Sequence, residues 1–98
     1  MKSKELAAIL QNNHEILKNH HVKALYLFGS IVRGEDKPGS DIDILVEFHP
    51  GARVGLFGMA KLQRRLTEIL GRPVDLTTRD ALHKALRERI IKEAVRAA

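Results

Sequence analysis

Leu27-Phe28-Gly29-Ser30-Ile31-Val32-Arg33-Gly34-Glu35-Asp36-Lys37-Pro38-Gly39-Ser40-Asp41-Ile42-Asp43-Ile44-Leu45 is the stretch on which the fold of this chain turns. It begins at the end of Val22 to Phe28, a run of β-branched, aromatic and aliphatic residues that predicts a largely buried strand closed by Gly29. Ser30 to Arg33 can open a short helix with Ser30 as its cap, before Gly34 and the Pro38-Gly39 turn break it. Asp41 to Phe48 then returns to extended chain. Its period of two sets Asp41 and Asp43 on one face and Ile42 and Ile44 on the other.

Outward from this unit, helical and extended segments alternate. Leu6, Ile9, Leu10, Ile16 and Leu17 form one helical stripe over residues 3 to 19, with Ser3 as the expected N-cap. Met59, Leu62, Leu66, Ile69 and Leu70 mark a second helix over 56 to 70, stopped by Gly71 and Pro73. Val74 to Thr77 reads as a short third strand, and Thr78 as the cap of a last helix in which Leu82, Leu86 and Ile90 recur every four residues. The order α, β, short α, β, α, β, α predicts an α/β or α+β protein in which helices pack on one small sheet. Strand directions are left open by the pattern. No repeat or linker interrupts the 98 residues, so residues 1–98 are expected to form one domain, within the usual range of about 50 to 200 residues per core.

Composition narrows the function classes. With 44% hydrophobic and 30% charged residues the chain reads as globular, and no run approaches the roughly 18 apolar residues of a membrane helix. The opening Met-Lys-Ser-Lys-Glu has no apolar signal core, so a cytoplasmic location without membrane association is expected. The absence of cysteine excludes disulfides, thiolate metal sites and cysteine nucleophiles, leaving oxygen and imidazole as metal ligands. A net charge of +5 favours a polyanion, whether nucleic acid, a nucleoside triphosphate or an acidic partner. The lysines and arginines are dispersed, and an aromatic content of 4% offers no stacking platform, which argues against a nucleic-acid adaptor.

The chemistry-bearing residues lie in and near the quoted stretch. Gly29 and Ser30 stand where a strand hands over to a helix, so a phosphate could approach the backbone and meet free N–H groups. A plain turn glycine and a plain cap explain the same two residues. Gly29 and Gly34 have P-loop spacing but are followed by Glu35-Asp36 where a P-loop has Lys and Ser or Thr, so that reading fails. Asp41 and Asp43 on one strand face repel each other and suit a hard cation such as Mg²⁺ or Mn²⁺, although a solvated strand face would also accommodate them. An EF-hand is ruled out because Val46 and Ala52 stand where its glycine and glutamate belong. Asp75, in Val74-Asp75-Leu76, joins the two acids if its strand lies beside theirs. Arg33, three residues after Ser30, either faces a phosphate or pairs with Glu35 or Asp36. His20, His21 and His49 share no ligand spacing with the acids and read as structural or surface residues.

Gly29-Ser30, ten residues, then Asp41-x-Asp43 resembles the signature of the minimal nucleotidyltransferases of the DNA polymerase β superfamily. Arg33-Gly34, Ser40 and Arg72-Pro-Val-Asp-Leu76 also fall at familiar positions, so the likeness covers nearly the whole chain. The resemblance implies a small mixed sheet flanked by helices. It assigns metal binding and catalysis to Asp41, Asp43 and Asp75, with two Mg²⁺ ions (or Mn²⁺), and nucleotide binding to Gly29, Ser30, Arg33 and Ser40. It implies transfer of a nucleotide, AMP from ATP, onto a hydroxyl. Small members resemble antitoxins paired with an all-helical HEPN ribonuclease toxin, some of which adenylylate that toxin on tyrosine, so a HEPN partner and a homo- or hetero-oligomer are implied. The alternative from a different class is a non-catalytic antitoxin that neutralises its partner by contact alone.

Overall fold

The sheet is built from the three strands expected and one more. In the computed structural model, which describes residues 2–98, β1 (Val22–Phe28), β2 (Ile42–Phe48), β3 (Val74–Thr78) and β4 (Val95–Arg96) lie in the order β3-β2-β1-β4. β1 pairs antiparallel with β2 and with β4, while β2 and β3 run parallel. The mixed sheet implied by the resemblance is therefore present. Its parallel pair follows from the intervening helix α4 (Leu56–Leu70), a crossover long enough to return the chain to the starting end of the sheet.

One face of the sheet carries the core. Leu25 and Leu27 of β1, Ile42, Ile44 and Val46 of β2, and Val74 and Leu76 of β3 are all buried and in matching register. Against them pack Leu62, Leu66 and Leu70 of α4, and the stripe Leu6, Leu10 and Leu17 from the N-terminal helices. This is the period-two face meeting the period-3.6 faces that the apolar spacing required. The opposite face holds Tyr26, Phe28, Asp43, Leu45, Asp75 and Thr77.

Several local expectations are corrected. The first helical stripe is broken into α1 (Ser3–Asn12) and α2 (His14–Asn19), because the Asn13 side-chain amide donates back to the Ile9 carbonyl at 2.7 Å and competes with the helical ladder. Lys2 occupies the N-cap position of α1, and Ser3 lies inside the helix, its hydroxyl 3.4 Å from the Ile31 carbonyl. Gly29 takes the N-cap position of α3 (Ser30–Arg33), and Ser30 is its first helical residue. Asp41 falls just before β2 and not within it. Thr78 accepts from the Ala81 amide and closes a turn, so α5 (Lys84–Glu93) starts later, capped by His83 Nδ1. Leu82 is thus outside α5, and Leu86 is 49% exposed. No residue of α5 is fully buried, and its end is fastened by β4 and by Ala97, whose amide donates to the Leu25 carbonyl at 2.8 Å. Among the described residues no helix is long and apolar enough to cross a membrane.

Candidate active site

The site lies where β1 ends and β2 begins. Gly29 has φ 77° and ψ −153°, a region of backbone space open essentially to glycine alone. A Cβ at this position would also overlap Asp43 Oδ2. The glycine is required twice over, by its dihedrals and by the close passage of the turn across a carboxylate. Turn and cap were one reading of Gly29-Ser30; the structure adds that the turn rests directly on the acid. The Ser30 hydroxyl makes no hydrogen bond among the described residues, and the first amides of α3 have no carbonyl within the helix to receive them.

Register brings two of the three acids together. Asp43 pairs with Phe28 on one side and with Asp75 on the other, so Asp43 and Asp75 occupy neighbouring positions on one face, about 4.8 Å apart in the strand-to-strand direction. Asp41 is exposed at the entry to β2, while Asp43 is half-buried and Asp75 exposed on the edge strand. Burial pushes the Asp43 carboxyl above the ordinary carboxylate range; Asp75 and then Asp41 push it further the same way, and Arg33 opposes them. Asp43 is therefore short of a compensating positive charge. The donor set, hard carboxylate oxygens crowded by like charge, fits Mg²⁺ or Mn²⁺. Among the described residues no group of three or more His, Cys, Asp and Glu is drawn together as a ready-made cage. Mg²⁺ does not need one, since it retains water and takes phosphate oxygens beside one or two carboxylates.

Arg33, at the last turn of α3, pairs with Glu35 as one of the two sequence readings had it, through Nε at 3.1 Å. Its second partner is Glu93, through Nη1 at 2.7 Å, and not Asp36. Asp36 is held by Arg72 at 3.3 Å. The Ser40 hydroxyl accepts from the Lys37 amide at 3.0 Å and closes the turn before Asp41, and its carbonyl accepts from Arg72 Nη2 at 2.8 Å. Arg72 thus straps the loop from Asp36 to Ser40, with a side chain only 14% exposed. Neither Arg72 nor Glu93 is marked out by its sequence neighbours: Arg72 stands beside Pro73 in Arg72-Pro-Val-Asp-Leu76, and Glu93 lies in no motif. His20, His21 and His49 lie at the opposite end of β1 and β2 from the acids, with the His49 amide donating to the His21 carbonyl.

The model of the nucleotidyltransferase domain family matches residues 5–98. The chain belongs to that family. As a nucleotidyltransferase-domain protein it is 46% identical over 80 residues to a protein of Methanocaldococcus jannaschii named “Putative protein adenylyltransferase MJ0435”, covering 82% of this chain and 84% of that one. A solved structure described as “Structure of putative minimal nucleotidyltransferase” superposes with a TM-score of 0.78 at 33% identity, covering 97% of this chain and 95% of that one. A Shewanella oneidensis complex, described as a tri-AMPylated HEPN toxin with its MNT antitoxin, matches with a TM-score of 0.66 at 19% identity, over 95% of this chain and 71% of that one. At that identity the likeness is one of fold. The resemblance to the minimal nucleotidyltransferases and the mixed-sheet architecture both hold.

Proposed function

We propose that this nucleotidyltransferase moves AMP from ATP onto a hydroxyl of a protein acceptor, a HEPN-type toxin, and so acts as its antitoxin in the cytoplasm. The observation that carries the reading is the register pairing of Asp43 with Asp75 on one open face, with the Gly29 turn lying on Asp43. Residues 1–98 would act as one catalytic domain.

In this reading Asp41, Asp43 and Asp75 would hold two Mg²⁺ ions, or Mn²⁺, which supply Lewis acidity and charge neutralisation at a triphosphate. Gly29 lets the phosphates approach the backbone, and Ser30 offers its unengaged hydroxyl and the helix-opening amides to them. Arg33 supplies a fixed cation beside them, and the Ser40 turn sets the approach of Asp41. The acceptor oxygen forms its bond to the α-phosphorus as the bond to the β-phosphate oxygen breaks, and pyrophosphate departs. Asp75, exposed at the sheet edge, receives the hydroxyl proton. The relative named as a protein adenylyltransferase and the AMPylated toxin in the Shewanella complex support the choice of AMP and of a HEPN acceptor.

The test is intact mass of the candidate toxin after incubation with this protein, ATP and Mg²⁺, beside an Asp41→Asn, Asp43→Asn control. Added AMP units that vanish in the control are the expected result. Unchanged mass despite a stable complex would replace transfer with neutralisation by contact.

A further inference from the structure

Arg33 is gripped from two directions by acids that sit very differently in the protein. Glu35 is two residues away and 65% exposed, so its pairing is an ordinary surface contact. Glu93 is sixty residues away and only 18% exposed, and its 2.7 Å bond to Nη1 is short and charge-assisted. The position of Glu93 is also built. It is the last residue of α5; Val95 and Arg96 then pair with Leu27 and Tyr26 of β1, two and three residues before Gly29. The Ala97 amide donates to the Leu25 carbonyl and the Leu25 amide donates to the Ala98 carbonyl, while the Gln11 side chain holds the Ala97 carbonyl at 2.9 Å. Ala97 itself is buried. The C-terminal segment is thus anchored on the strand that leads into the phosphate turn, and the α5 residue beside that anchor meets Arg33.

A guanidinium is a rigid plane of five N–H donors, so fixing two of its nitrogens fixes the aim of the third. With Nε on Glu35 and Nη1 on Glu93, Nη2 makes no hydrogen bond among the described residues. Arg33 is 44% exposed, one turn beyond Ser30 on α3. We infer that Glu93 is a positioning residue for nucleotide binding: through its bond to Nη1 it holds the Arg33 guanidinium with Nη2 presented to the triphosphate, and the C-terminal β4 anchor exists in part to place it there. The inference rests on the nucleotidyl-transfer reading, since it presumes a triphosphate at Gly29-Ser30.

Glu93 competes with the triphosphate only if its bond must break for Arg33 to reach the phosphates. The free Nη2 makes that unnecessary, so removing the Glu93 charge should weaken nucleotide binding and not strengthen it. Direct binding of ATP with Mg²⁺, measured by calorimetry on the full chain, separates the possibilities. The proteins compared are wild type, Glu93→Gln, Arg33→Ala and the double variant, with thermal melts of each. The expected result is binding weakened about 5- to 10-fold in Glu93→Gln, corresponding to about 1 to 1.4 kcal/mol. Arg33→Ala should weaken it at least as much, and Glu93→Gln should have no further effect once Arg33 is gone, because its action passes through that side chain. A purely structural Glu93 would instead weaken binding equally with and without Arg33. That additive result overturns the inference, as would unchanged or tighter binding in Glu93→Gln. Failure of the wild-type protein to bind any of the four nucleoside triphosphates would overturn the nucleotidyl-transfer reading and the inference with it, an outcome distinct from loss of the Glu93 effect alone.

Discussion

Asp43 is destabilising where it stands. Its carboxyl is half-buried and faces Asp75 and Asp41, so folding raises its pKa above that of the unfolded chain. The folded protein then binds the proton more tightly than the unfolded one, and stability falls as pH rises through the carboxylate range. The cost is absent below the unfolded value of about 3.9 and complete above the raised folded value. Asp43→Asn in metal-free buffer should therefore raise the melting temperature at pH 7, by roughly 2 to 4 °C once solvent screening of the half-exposed group is allowed for. The gain should vanish at pH 3.5, and scanning calorimetry at the two pH values checks it. A lower melting temperature at pH 7 would show that the carboxylate is satisfied by groups other than a bound cation. At this scale the sequence was legible: period-two alternation put Asp43 opposite Ile42 and Ile44, and the structure keeps it there. Asp41 was less so, because one residue beyond a strand end the alternation no longer dictates direction.

Among elements, the loop from Asp36 to Ser40 has little of its own to hold it. Its order comes from Arg72, which reaches Asp36, the Lys37 carbonyl and the Ser40 carbonyl from the residue preceding Pro73. The Ile42 amide donates to the Pro73 carbonyl at 2.8 Å, so the same two residues also align the start of β2 with β3. Arg72→Met should keep most of the packed stem and lose the three polar contacts, lowering unfolding free energy by about 2 kcal/mol. Denaturant melts would measure the loss, and limited proteolysis should find a new cut between residues 36 and 40. An unchanged midpoint with no new cut would mean that the Ser40–Lys37 turn suffices alone. The helices themselves were readable from apolar spacing, but their ends were not. Asn13 divides the first helix through a side-chain bond that competes with the backbone, and Thr78 caps a turn before the helix starts. The two-residue β4 is too short to carry any period.

For the whole molecule, cations of one helix bear on a histidine at the end of another. His20 ends α2 near Arg65 and Lys61 of α4. Burial first, and then Arg65, His21 and Lys61, lower its pKa below the usual histidine value. A helix C-terminus would ordinarily favour the charged imidazole, so the cations and burial together outweigh the dipole here. Since the unfolded chain takes up this proton more readily, stability should fall as pH drops below about 6.5. His20→Asn, which keeps a side chain suited to a helix end, should flatten the melting-temperature slope between pH 7 and pH 5. An equally steep slope in the variant would move the acid sensitivity to another histidine.

Which residues lie on the acidic face, where the strand yields to the Gly29 turn, and which stripes of each helix are apolar are matters of a few consecutive residues. Local periodicity and glycine chemistry express them in the chain order itself. Asp75 beside Asp43, Arg72 on Asp36 in the loop before Asp41, and Glu93 on Arg33 join positions 32, 36 and 60 residues apart. Those meetings depend on strand register and on the return path of α4 and the C-terminal strand. No local period encodes them, because a contact between distant residues is selected by the packing of the whole core and not by the neighbours of either partner.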